Sequence, residues 1–267
     1  MRQFLLSLQF LTILPVKIDG FVSEKEIAQS AAFFPVVGAF QGMLALLSTM
    51  VFLSIFPPDI TAALTILVLI LSNGGFHLDG LADTFDAIAV SSTGDESDKE
   101  KRLSVMKDST TGAIGVIAII FSILFKYLLL KELLAGPGLK PRPTAFFTTL
   151  FLMPVVSKWA MTVAMFHGRP ARNEGLGRIF INGIRFRELL TSSLILLFIY
   201  AVTILFSADS IGLYVFATLI LYLCSILWLF FCNKKFGGST GDTLGALNEI
   251  TEILFLFMVI IWQRLSI

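Results

Sequence analysis

Charge is scarce in this sequence. Asp, Glu, Lys and Arg supply 15% of its 267 residues, where a soluble domain carries about 25%. The 20 Lys and Arg nearly cancel the 19 Asp and Glu, leaving a net charge of +1, which excludes a strongly basic nucleic-acid binder. Histidine occurs twice and cysteine twice. Cys224 and Cys232 lie in or beside one apolar run, so neither a disulfide framework nor a zinc site is available. No Walker loop, nucleophile elbow or thiol–histidine pair is present. What abounds is apolar: 56% of the residues are hydrophobic and the mean hydropathy is +0.86. That balance excludes a disordered chain and a soluble enzyme, and leaves a protein whose main solvent is lipid.

A spanning helix needs about 20 apolar residues. Apolar runs fall near 31–56, 60–76, 112–134, 144–166, 188–206, 210–231 and 244–264. They predict an all-α, polytopic transmembrane bundle of about seven spans. Met1 to Leu14 also reads as a helix, too short to cross, and is expected to lie amphipathically at the interface. It lacks a charged n-region and a small-residue cleavage site, so it is kept in the mature chain. No linker or repeat divides residues 1–267, which read as one membrane domain. With the N-terminus inside, 14 of the 20 cations fall in inside segments, so the positive-inside rule sets that orientation in a cell membrane.

The inside loops also hold the polar motifs, which places the expected site on the cytoplasmic face. In Asn73-Gly74-Gly75-Phe76-His77-Leu78-Asp79-Gly80-Leu81-Ala82-Asp83-Thr84-Phe85-Asp86, a helical period of about 100° puts Asp79, Asp83 and Asp86 within an arc of roughly 60°. Three carboxylates on one stripe repel one another, and a hard dication such as Mg²⁺ or Mn²⁺ relieves this. A solvated helix end complementing the dipole is the plainer alternative. His77 falls on a different face, where it is either a hydrogen-bonded core residue or a participant. In Met106-Lys107-Asp108-Ser109, Asp108 is a helix cap or a further metal ligand, and Lys107 a phosphate contact. The mixed charge run 94–102 reads as a solvated face.

Two more motifs suit anions. Arginines among glycines at Arg169–Arg178 fit a bidentate phosphate grip, though they also satisfy the positive-inside rule. The turn Gly237-Gly238-Ser239-Thr240-Gly241-Asp242 runs into a helix and offers backbone N–H groups to an anion, with Asp242 as a metal ligand. Glu249 and Glu252 stand i,i+3 inside the seventh run, where a carboxylate is a functional candidate by default. Acidic metal ligands and basic grips on one face fit metal-assisted transfer of a phosphate-bearing group.

Four blocks carry a family resemblance: Gly74–Thr84, Met106–Ser109 with Gly112, Ala171-Arg172 with Glu174–Gly177, and Gly237-Gly238 with Thr240–Ala246. In order and over nearly the whole chain, they resemble cobalamin synthase, the membrane adenosylcobinamide-GDP ribazoletransferase family. The resemblance implies joining adenosylcobinamide-GDP to α-ribazole or its 5′-phosphate, with Mg²⁺ and release of GMP. It implies Asp79, Asp83 and Asp86 across the pyrophosphate, Asp108 and Asp242 as added ligands, and Lys107, Arg172, Gly237, Gly238, Thr240 and Gly241 toward phosphate. For the general base, Asp83, Glu249 and His77 stay open, and a homo-oligomer is compatible with everything above. Asn173 stands where the family often has an acid, and Thr110-Thr111 replaces a basic–apolar pair. Three rivals differ in pattern. A CDP-alcohol phosphotransferase would have arginine where Asp83 stands, an intramembrane prenyltransferase would have two comparable Asp motifs, and a transporter would have mid-span polar groups in an inverted repeat.

Overall fold

The computed structural model describes residues 1–91, 97–135, 143–205 and 211–265. Residues 94–96 of the charge run, the cations Lys140 and Arg142, and the turn 207–210 lie outside the described residues. The chain opens with α1 (Arg2–Leu11), then α2 (Glu24–Ser30), which continues through a 3₁₀ turn at Ala31–Phe33 into α3 (Phe34–Leu53). There follow α4 (Pro58–Ser72), α5 (Phe76–Ala89), α6 (Ser97–Val105), α7 (Ala113–Ala135) and α8 (Pro143–His167). The last four are α9 (Leu176–Gly183), α10 (Phe186–Ile204), α11 (Ile211–Phe236) and α12 (Gly241–Leu265). Among the described residues the sole β feature is an isolated bridge between Pro170 and Ser239.

Six helices are long and apolar enough to cross a membrane, or seven if the bent pair α4–α5 makes one span. The seven predicted runs correspond to α3, α4, α7, α8, α10, α11 and α12, so the protein is an all-α, multi-pass membrane bundle. Its axis is α8, whose apolar window is 89% buried. Leu150, Met153 and Val156 of α8 share one core with Leu130 of α7, Leu221 of α11 and Phe255 of α12. The outer helices α7, α10 and α11 have windows only 28% buried, and their remaining apolar faces, such as Leu197, Phe198 and Phe230, turn to lipid.

The break between α4 and α5 positions the site. The two helices meet at 88°. Asn73 accepts a hydrogen bond from the Gly75 N–H at 2.9 Å, and Gly74 and Gly75 both take positive φ, 66° and 75°. A side chain there would cost about 1–2 kcal/mol per residue, so the pair of glycines turns the chain away from the direction of α4. Helix α5 then packs against α12 and α7 with His77, Leu78, Leu81, Ala82 and Ala87 buried and Asp79 exposed.

Candidate active site

Two loops and two helix starts converge beside α5. The stretch after α8 pairs with the turn after α11. Ala171 N–H donates to Ser239 carbonyl at 2.9 Å, and Ser239 N–H to Arg169 carbonyl at 2.8 Å. That short ladder fixes Arg172, which donates to the Leu103 carbonyl at 2.8 Å and stands 3.8 Å from the Asp242 carboxylate. Thr240 caps α12: its hydroxyl accepts from Thr243 N–H at 3.2 Å and donates to Asp242 at 3.2 Å.

The approach of α5 to α12 is unusually close. A Cβ on Gly80 would stand 2.8 Å from the Asp242 carbonyl oxygen and 3.0 Å from its Cα. Glycine therefore lets the acidic stripe of α5 reach the Asp242 end of α12. On the other side, the start of α9 leans on the start of α12, where a Cβ on Gly177 would meet the Gly241 nitrogen at 2.6 Å. A cavity of about 200 Å³ opens here, lined by Phe76, Arg172, Gly177, Arg178, Thr240 and Asp242 among others.

The charges at this junction are predominantly acidic. Asp83, half-buried on α5, is pushed up to about 7 by its burial and then by the fields of Asp79, Asp242 and Asp86, with Arg172 alone opposing. Several carboxylates facing one guanidinium is the environment a hard dication neutralises. Among the described residues, no three acidic, histidine or cysteine side chains are already gathered to hold a metal ion. Mg²⁺ usually takes only one or two carboxylates, with substrate phosphates and water completing its shell, so the donor set fits that ion with substrate present.

Other expected residues sit elsewhere. Asp86 receives the Gly112 and Gly115 N–H groups at 2.6 and 2.8 Å, so it anchors the start of α7 although it shares the stripe. Asp108 is exposed, and the hydroxyl and amide of Thr110 hold its carboxyl below the usual range. Lys107 is likewise exposed. His77 is fully buried, and neither ring nitrogen has a hydrogen-bond partner among the described residues. In the glycine turn, Gly237 N–H donates to Asn233, Ser239 N–H to Arg169 and Thr240 N–H to Thr243. Gly241 remains at the cavity wall.

Glu249 lies deeper, inside the bundle. It accepts from Ser122 and Lys126, each at 2.8 Å, and Lys126 also meets Glu252. Lys158 donates to Asn248 at 2.7 Å and stands 4.0 Å from Glu252. All four ions are at most 5% exposed. The sequence signal for this quartet was two lysines and two glutamates stranded in three apolar runs, each needing an opposite charge. The sequence motifs contain Gly80, Gly177 and Arg178, but the roles these residues take depend on contacts between distant segments.

The fold and this acidic, arginine-bearing junction define a multi-pass membrane protein with a polar site at one end of its bundle. Residues 3–260 match the cobalamin-5-phosphate synthase family, and the chain belongs to it. A protein of Thermodesulfovibrio yellowstonii named adenosylcobinamide-GDP ribazoletransferase is 35% identical over 99% of this chain and 98% of its own. A namesake from Syntrophobacter fumaroxidans is 37% identical over 94% of both chains, and one from Clostridium tetani 33% identical over 96% of this chain and 95% of its own. No solved structure matches.

Proposed function

We infer that this chain is an adenosylcobinamide-GDP ribazoletransferase that works through a Mg²⁺-dependent acidic site on the cytoplasmic face of a cell membrane. The observation that carries the site assignment is the meeting of Asp79 and Asp83 of α5 with Asp242 of α12 opposite Arg172. One or two of those carboxylates would hold the ion together with substrate phosphate and water, and Arg172 and the start of α12 would hold phosphate oxygens. A bound Mg²⁺ supplies charge neutralisation across the diphosphate.

The transfer then proceeds by positioning. A ribose hydroxyl oxygen of α-ribazole, or of its 5′-phosphate, forms a bond to the phosphorus on the corrinoid arm. The bond from that phosphorus to the bridging oxygen breaks, and GMP leaves with the electron pair. Arg172 offsets charge on the phosphates, and the hydroxyl proton passes to a carboxylate of the cluster that does not hold the ion. Fourteen cations in the inside segments support the cytoplasmic placement.

The test is GMP release from adenosylcobinamide-GDP and α-ribazole by the purified protein, with Mg²⁺ and with EDTA. Release that requires the ion and disappears in both Asp79→Ala and Asp83→Ala supports the reading. Full activity in either variant overturns the site.

A further inference from the structure

The cavity at Arg172 and Asp242, about 200 Å³, falls below the roughly 300–1,000 Å³ of pockets that enclose drug-sized ligands. The acceptor riboside must therefore lie largely outside it. A second cavity of about 480 Å³ opens against the same short helix, α9, between α2 and the start of α10. Its wall includes Glu24, Lys25, Ile179, Arg185, Arg187 and Glu188.

The charge of this chamber is unbalanced. Glu188 is 5% exposed and accepts the Arg185 N–H at 3.0 Å. Glu24 is paired with Arg178. Glu24 is thus neutralised and Glu188 keeps its charge, whereas Lys25, Arg185 and Arg187 have no ion-pair partner among the described residues, so the chamber keeps a positive excess. Three free cations around a nucleotide-sized space are the recognition chemistry of a phosphate monoester, two of them being guanidiniums able to grip in bidentate fashion.

The chamber also adjoins the candidate active site. Arg178 lines the Asp242 cavity and its partner Glu24 lines the chamber, so the Arg178–Glu24 pair touches both, with α9 contributing to each wall.

We propose that this chamber binds the 5′-phosphate of the acceptor nucleoside. The phosphate sits among Lys25, Arg185 and Arg187, and the ribose, which carries the reacting hydroxyl, faces the Arg178–Glu24 pair at the edge of the Asp242 cavity. This rests on the ribazoletransferase reading. The same chemistry could also be met by a phospholipid headgroup at the membrane surface, and the test separates the two sources.

The experiment compares wild type with Arg185→Gln/Arg187→Gln, in detergent and in nanodiscs of phosphatidylcholine with or without phosphatidylglycerol. The readout is kcat/KM for α-ribazole 5′-phosphate divided by that for α-ribazole. Loss of two charge-assisted contacts is expected to lower this ratio at least tenfold in every lipid setting, with Arg185→Lys/Arg187→Lys recovering part of it. An unchanged ratio overturns the proposal, and so does a change that depends on anionic lipid, which would assign the chamber to headgroups. Calorimetric titration of α-ribazole 5′-phosphate alone provides an answer independent of turnover. At least tenfold weaker binding by the Gln variant supports the chamber, and equal binding overturns it. Absence of GMP release by wild type with either acceptor would instead sink the ribazoletransferase reading, leaving the titration to decide the chamber.

Discussion

Gly80→Ala is the sharpest test of how the site is assembled. The new methyl would stand 2.8 Å from the Asp242 carbonyl oxygen, 0.6 Å inside the 3.4 Å at which ordinary contact begins, and its neighbours are backbone atoms that cannot swing away. Helix α5 must therefore move from α12 by about half an ångström, at a cost typical of overpacking, about 1–3 kcal/mol. The bundle itself is held by the α8 core and should survive. The displacement falls on the gap between the α5 carboxylates and Asp242, and a 1 Å misplacement can cost about 10²-fold in rate, so GMP release should fall by about 10- to 100-fold. Gly245→Ala is the matched control on the same interface: its methyl would meet the His77 Cα at 3.4 Å and the His77 carbonyl oxygen at 3.5 Å, ordinary contact, and activity should stay near wild type. Both variants are compared for detergent-solubilised yield, thermal unfolding and turnover. Equal activity in the two would refute the reasoning, because the tight approach of α5 to α12 would then not govern the chemistry.

Lys126→Met leaves Glu249 with Ser122 as its remaining hydrogen-bond donor. Stripping a buried carboxylate of its cation costs about 3–5 kcal/mol, and adding Glu249→Gln should recover most of that loss in a double-mutant cycle followed by SDS unfolding. Asp86→Ala removes the acceptor of two N–H groups at the start of α7. It should lower stability by about 1–3 kcal/mol, and a smaller loss of turnover than in Asp83→Ala would separate anchoring from catalysis. Arg172→Lys keeps a positive charge near Asp242 but gives up the guanidinium fork, so KM for adenosylcobinamide-GDP should rise at least tenfold with little change in thermal unfolding.

Much of this architecture was readable in the sequence because lipid imposes a simple rule. Runs of apolar residues long enough to cross must be helices, and each of the seven runs contains one. The stripe of Asp79, Asp83 and Asp86 was legible for the same reason, since helical period alone places them together. What periodicity cannot supply is the partner of each group. Asp86 turns to amides 26 and 29 residues away, Arg178 finds Glu24 at a separation of 154, and Glu249 finds Lys126 at 123. These pairings follow from which spans become neighbours, a property of the packed bundle that no local pattern encodes. Short helices such as α9, at eight residues, were hidden for a related reason: they are stabilised by contacts on α2 and α12 more than by their own propensity.

The quartet of buried ions has a consequence for how the protein is made. Lys126 and Lys158 belong to α7 and α8, but both carboxylates that answer them belong to α12, which leaves the ribosome after them. A lysine at the centre of a lone inserting segment carries a penalty of about 2.5–3.5 kcal/mol on the translocon scale. Until α12 arrives, α7 and α8 carry that debt without their natural counter-charges. The same segment begins with Asp242. Arrival of α12 therefore neutralises the interior and delivers Asp242 in one event, and a chain cut short before it lacks both the neutralised interior and the capacity for turnover.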